Sequence, residues 1–240
     1  MFTDQHDFAY REAAIEAIRR RFIGRDDAFA WQDGEGRFQV QRGRITDEML
    51  AKHICLGRCL AVPHLDRTDQ VRWFGFELHT REPHAFTDTL DAHRAAVGHL
   101  LQAAAELGLA ALVESTAVQT HRLLIFCNQS IPGWSARTIA RTIAADAGDM
   151  PAPLTLEVLP EQAERHGRQV GPMVRLPWGH RYPGGSSRFV DAQLAGIGGG
   201  APAQLQLLAA TPVTDADLLM HLAGQLNDRS IRFLPRAEPL

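Results

Sequence analysis

The sequence predicts an α+β protein, and three observations carry the prediction. Segments with the 3.6-residue apolar period of a helix are interleaved with strand-like runs that come in adjacent pairs. Two of those runs, Leu109 to Glu114 and His121 to Cys127, are separated only by Ser115 to Thr120, a loop short enough for a hairpin. Finally, no Gly-x-Gly-x-x-Gly, Walker loop or nucleophile elbow is present, which argues against a Rossmann dinucleotide site or a serine hydrolase. Helices packed on mixed sheets follow.

Each element has a local cause. From Phe8 to Ile23, Ala9, Ala13, Ile15, Ala17, Ile18 and Phe22 recur on one face, so a helix is expected, ending before Gly24. Ala28 to Trp31 and Arg37 to Gln41 flank the turn residues 33–36 as a hairpin. Thr46 is an N-cap for a helix through Ile54, with Asp47 and Glu48 in its first turn and Gly57 as its stop. Leu60 to His64 and Val71 to His79 are strands. Leu90, His93, Val97, Leu100, Leu101 and Ala104 mark a helix from Phe86 to Leu107, stopped by Gly108. Ser135 to Ala147 is a further helix, Leu154 to Leu159 and Pro172 to Trp178 are strands, and Thr214 to Leu226 is a final amphipathic helix. The domain expectation is one unit over 1–192, a glycine-rich linker over 193–213 and a C-terminal helix and tail over 214–240.

The 240 residues, 45% hydrophobic and 22% charged, suit an ordinary globular chain with a sizeable core. A formal net charge of −3 offers no global basic field, which argues against tight duplex binding while leaving room for a local basic cleft. Cys55, Cys59 and Cys127 form no disulfide framework, and His53, Cys55 and Cys59 lack the paired spacing of a structural zinc site. The start has no signal-peptide pattern, and no apolar run is long enough to span a membrane, so a cytoplasmic protein is expected.

The chemistry centres on Val71 to His79, VRWFGFELH. In a strand, Glu77 and His79 share one face while Phe74, Phe76 and Leu78 fill the other. A carboxylate beside an imidazole can hold a divalent cation or exchange a proton; equally, both can be solvated polar residues at a strand end. Three later stretches combine with it: ESTAVQTH (114–121), EVLPEQ (157–162), and GPMVRLPW (171–178) running through His180 and Arg181 to SSRFVD (186–191).

Together with Phe22 to Ala30 and His53, these blocks resemble, in order, the archaeo-eukaryotic primase superfamily, most closely the primase domain of TOTE conflict systems and CRISPR-associated primase-polymerases. The resemblance spans about residues 20 to 192. It implies a primase-polymerase fold, with an α/β unit packed on an RRM-like antiparallel sheet. It also implies Mg²⁺ or Mn²⁺ held by an Asp-x-Asp strand and a third acid, in two-metal nucleotidyl transfer. Carried over by position, Glu77, His79 and Glu157 are the catalytic and metal positions. Ser115, His121, Arg175, His180 and Arg188 are the nucleotide-binding ones, with the arginines able to pair with phosphates.

The departures weaken that chemistry. His79 stands for a carboxylate, where Mg²⁺ prefers hard oxygens and an imidazole favours Mn²⁺ or Zn²⁺. Glu77 is one methylene longer than Asp. Ala117, Val118 and Gln119 occupy a loop that is glycine-rich in the family, and Glu161 replaces a lysine. Three functions therefore compete. One is a primase-fold protein with weakened or lost transfer that binds single-stranded nucleic acid, a nucleotide, or helicase and nuclease partner chains in a mobile-element defence system. Another is an active Mn²⁺-dependent primase-polymerase. The last is a metal-dependent hydrolase using Glu77, His79, His121 and Glu157 at one converging site.

Overall fold

The computed structural model describes residues 5–56, 58–80, 86–117, 120–165, 167, 169–181 and 185–232. Along them run α1 (Gln5–Phe22), β1 (Ala28–Gln32), β2 (Phe38–Arg42), α2 (Asp47–Cys55), β3 (Leu60–Pro63), β4 (Gln70–Thr80) and α3 (Phe86–Glu106). β5 (Leu112–Ala117), β6 (Thr120–Pro132), α4 (Gly133–Asp146), β7 (Leu154–Leu159) and β8 (Met173–Arg175) follow. The chain closes with β9 (His180–Arg181), β10 (Gly185–Ser186), β11 (Arg188–Val190), α5 (Gly200–Ala210), β12 (Val213–Thr214) and α6 (Ala216–Arg232). The helix stop expected at Gly57, and Val118 and Gln119 of the expected loop, lie outside the described residues.

The α+β expectation holds. The larger sheet has the order β11-β5-β6-β4-β7, antiparallel throughout, and β12 adds a parallel pair to the second half of β6. A smaller sheet has the order β2-β1-β3-β8, and β9 and β10 pair by themselves. Successive residues of β4 point to opposite faces, and both faces are covered. Phe74, Phe76 and Leu78, with Leu123 and Ile125 of β6, pack under residues of α3, α4 and α6 such as Val97, Leu100, Ile139 and Leu219. On the reverse, Trp73, Leu112, Leu124, Phe126 and Leu159 meet Ile15, Ile18 and Phe22 of α1 and Phe29, Leu60, Val62 and Val174 of the smaller sheet. Each such side chain, fully buried, contributes roughly 1.5–3 kcal/mol. The larger sheet is therefore the middle layer, and its reverse face is where the smaller sheet leans in.

Local signals place the elements as expected in several cases. Thr46 Oγ1 accepts the Met49 N–H at 3.3 Å, as an N-cap should. The β5–β6 hairpin forms, although β5 starts later than the sequence suggests and β6 runs on to Pro132. Among the described residues, no helix is long and apolar enough to cross a membrane.

The segment expected as a linker over 193–213 is different. Residues Gly200–Ala210 are α5, and Leu208 is fully buried against the α1 side of the core. Gln204 accepts the Phe189 N–H at 2.6 Å and donates to the Phe189 carbonyl at 2.9 Å, as a strand neighbour would. Arg21 reaches from α1 to the carbonyls of Leu208 and Thr211. Tertiary hydrogen bonds and burial override the glycine content.

His53 and His64 are fully enclosed and serve the scaffold. The Leu60 N–H donates to His53 Nδ1 at 3.0 Å, which leaves Nε2–H to donate to the Pro177 carbonyl at 2.8 Å and ties α2 to the loop after β8. His64 stacks on Trp73 at 4.1 Å and its Nε2 donates to the Trp73 carbonyl at 2.9 Å. Burial holds both rings at a pKa of about 4, well below the usual 6.5. Between those two values the unfolded chain takes up protons that the folded chain refuses. Stability thus rises with pH through this window and is lost as pH falls from 6.5 towards 4, by the order of a few kcal/mol per ring. Thermal melts at pH 7 and pH 4.5 should show the fall. His64→Phe, which keeps the stacking and cannot titrate, should show a shallower one; equal slopes would remove His64 from the account.

Candidate functional site

Cross-strand register assembles the site. Glu77 of β4 lies directly opposite Arg122 of β6 on one side and Glu157 of β7 on the other. Arg122 in turn faces Glu114 of β5, and Glu114 faces Phe189 of β11. Residues opposite one another in an antiparallel ladder share a face. One row, Phe189–Glu114–Arg122–Glu77–Glu157, therefore crosses the sheet on its reverse face. His79, opposite Thr120 and Thr155, stands in the next row of that face.

The row meets the smaller sheet at β8. Arg175 sends Nη2 to Glu77 Oε1 at 3.0 Å, while its own carbonyl accepts Arg122 Nη1 at 2.8 Å. Arg122, 1% exposed, also lies 2.8 Å from Glu114 Oε2 through Nη2 and 3.9 Å from Glu77 Oε2 through Nε. Glu114 is completely buried, and neither of its oxygens has a well-aligned hydrogen bond among the described residues; the same is true of Arg122 Nε and His79 Nε2. Buried Arg122 and partly buried Arg175 thus bracket Glu77. His79 Nε2 sits 3.8 Å from Glu77 Oε1 and 3.5 Å from Glu157 Oε2. Beyond β7, Glu161 adds a further carboxyl whose pKa is pushed up by burial first and then by Glu157 and Glu77. Arg137 of α4 pins that loop by donating to the carbonyls of Pro160, at 2.6 Å, and Glu161.

Of the residues expected here from the sequence, Glu77, His79, Glu157 and Arg175 come together. His121 does not. It lies opposite Leu78, so its side chain emerges on the face covered by α3, where its Nδ1 is 3.1 Å from His93 Nδ1. The expectation of one converging spot holding Glu77, His79, His121 and Glu157 is corrected accordingly, and the mixed-ligand hydrolase site built on all four loses its geometry. Ser115 and exposed Arg188 stand in the His121 row as well. His180 pairs with Ser186 through the backbone, and its side chain lies outside the described ones. His93 is held at a pKa of about 4 by burial and, secondarily, by the neighbouring His79.

Arg122 and Glu114 were missed as site residues. Their signal was parity: 122 shares its face with Leu124 and Phe126, and 114 with Leu112, so both side chains head for the reverse-face core.

The family resemblance implies divalent metal on Glu77, His79 and Glu157, and the donor set does not fit it. Among the described residues no group of three or more His, Cys, Asp or Glu side chains is placed to hold a metal ion. One Glu77 oxygen is already hydrogen-bonded to a guanidinium and the other faces a second. An imidazole fills the position of the second hard oxygen donor.

The family model described as TOTE conflict system, Archaeo-Eukaryotic Primase domain, matches residues 38–217. No curated protein matches the sequence. Among solved structures, the polymerase domain of Ligase D from Mycobacterium tuberculosis, in complex with DNA, is similar with 10% identity and a TM-score of 0.49, covering 95% of this chain and 92% of that one. With three quarters of its length inside the family match, this chain belongs to the archaeo-eukaryotic primase domains of TOTE conflict systems.

Proposed function

We propose that this chain is a divergent primase-polymerase-like protein of a mobile-element conflict or defence system. In this reading nucleotidyl transfer is weakened or lost, and the protein works by binding single-stranded nucleic acid or a nucleotide, alongside helicase or nuclease partner chains. One observation carries it: the carboxylate of Glu77, which transfer needs free to organise cations around a triphosphate, is hydrogen-bonded by Arg175 through one oxygen and faced by Arg122 at 3.9 Å through the other. His79 adds no second acid.

The test is primer extension on a single-stranded template with NTPs or dNTPs and either Mg²⁺ or Mn²⁺, run beside fluorescence-anisotropy binding of the same template. Saturable binding with no extension is expected. Extension by the wild type that disappears in Glu77→Gln would replace this function with an active, Mn²⁺-dependent or Mg²⁺-dependent polymerase.

A further inference from the structure

The misfit between the donor set and divalent metal has a definite cause in the fold. We infer that Arg175 is a built-in cation: its guanidinium takes the place beside Glu77 that a divalent ion would need, so the folded protein keeps metal out of this site. The inference deepens the functional proposal above and rests on the same row of residues.

The geometry supports a structural replacement, not a chance surface pair. Arg175 and Glu77 are both largely enclosed, with side-chain exposures of 16% and 14%, so the pair is poorly screened by solvent. Arg175 cannot drift away readily, because its backbone is held twice. Its carbonyl accepts from buried Arg122, and its residue pairs with Ala61 in the smaller sheet. Arg122 Nε, buried and lacking a hydrogen-bond partner among the described residues, faces the other Glu77 oxygen. A divalent ion entering here would have to break the Arg175–Glu77 hydrogen bond and displace a guanidinium whose backbone is fixed, while Arg122, whose charge Glu114 balances, still faces the other Glu77 oxygen. The remaining donors, His79 and half-exposed Glu157, do not offset that.

Mn²⁺ titration followed by electron paramagnetic resonance, on the full chain without nucleotide, reads the claim directly. The wild type is expected to show no saturable Mn²⁺ binding in the millimolar range, and Arg175→Lys, which keeps the charge, should behave the same. Arg175→Gln/His79→Asp should gain a saturable site at least about tenfold tighter, the scale on which groups around metal ligands set affinity. Circular dichroism and melting confirm that each variant is folded before it is scored. Saturable binding by the wild type that Glu77→Gln abolishes would overturn the inference. So would a folded Arg175→Gln/His79→Asp protein that gains nothing. Primer extension by a wild type that binds no Mn²⁺ alone would sink the functional proposal and leave this one standing; metal binding without extension would do the reverse.

Discussion

Arg122→Met is expected to cost about 3–5 kcal/mol of folding stability, the scale of a buried ion pair broken from one side. The loss has a specific source. Glu114 is completely buried and Arg122 is the cation beside it, at 2.8 Å, so the substitution strands a carboxylate in a low-dielectric interior. It also removes the donor that ties the Arg175 carbonyl of the smaller sheet to the larger one. For a chain of this size the melting temperature should fall by roughly 6–20 °C. Arg122→Met/Glu114→Met should recover most of it, because replacing both members of a buried pair by apolar side chains is often neutral or stabilising. Melts of the two single variants and the double complete a cycle. If the double variant loses as much as the sum of the singles, the two residues are not coupled and the charged row is not the tie between the sheets.

Gly75→Ala should be nearly as damaging, although it adds one methyl group. Gly75 sits in the middle of β4 with φ 152°, a conformation that residues bearing a Cβ rarely adopt. A Cβ built there would collide with the backbone carbonyl of Leu123 on β6, which cannot swing aside without breaking the ladder. Strain of about 1–3 kcal/mol at the dihedral and about 1–3 kcal/mol of overpacking give an expected loss of about 3 kcal/mol or more. Urea melts should show a lower midpoint. Because Gly75 is two residues before Glu77 on the same face, the surviving folded fraction should also have a displaced site. A variant as stable as wild type would mean that β4 and β6 can separate locally at no cost.

Much of this arrangement was legible in the residues. The alternation of VRWFGFELH placed Phe74, Phe76 and Leu78 on one face and Glu77 with His79 on the other, because side-chain direction within a strand depends only on parity. Thr46 announced its cap through a short local hydrogen bond. The serial blocks from 74 to 191 pointed to the family that the match over 38–217 supports.

His121 shows where that legibility stops. Parity within β6 was plain, but which of its two faces meets Glu77 depends on the register with β4, and a slip of one residue would have exchanged His121 for Arg122. The helix at 200–210 shows the same limit from the other side. Its flanking glycines read as flexible, while the hydrogen bonds that order it come from Phe189 and Arg21, distant along the chain.

By itself, then, the sequence determined the α+β class, the family, and the acid-imidazole pair at the end of β4, since all three follow from local periodicity and motif order. Only the tertiary structure decided that Arg175 and Arg122 clasp Glu77 and that His121 faces away. Those outcomes depend on how strands from remote segments align and on how two sheets close against each other, and charges brought within 3–4 Å by that closure leave no trace in the spacing along the chain.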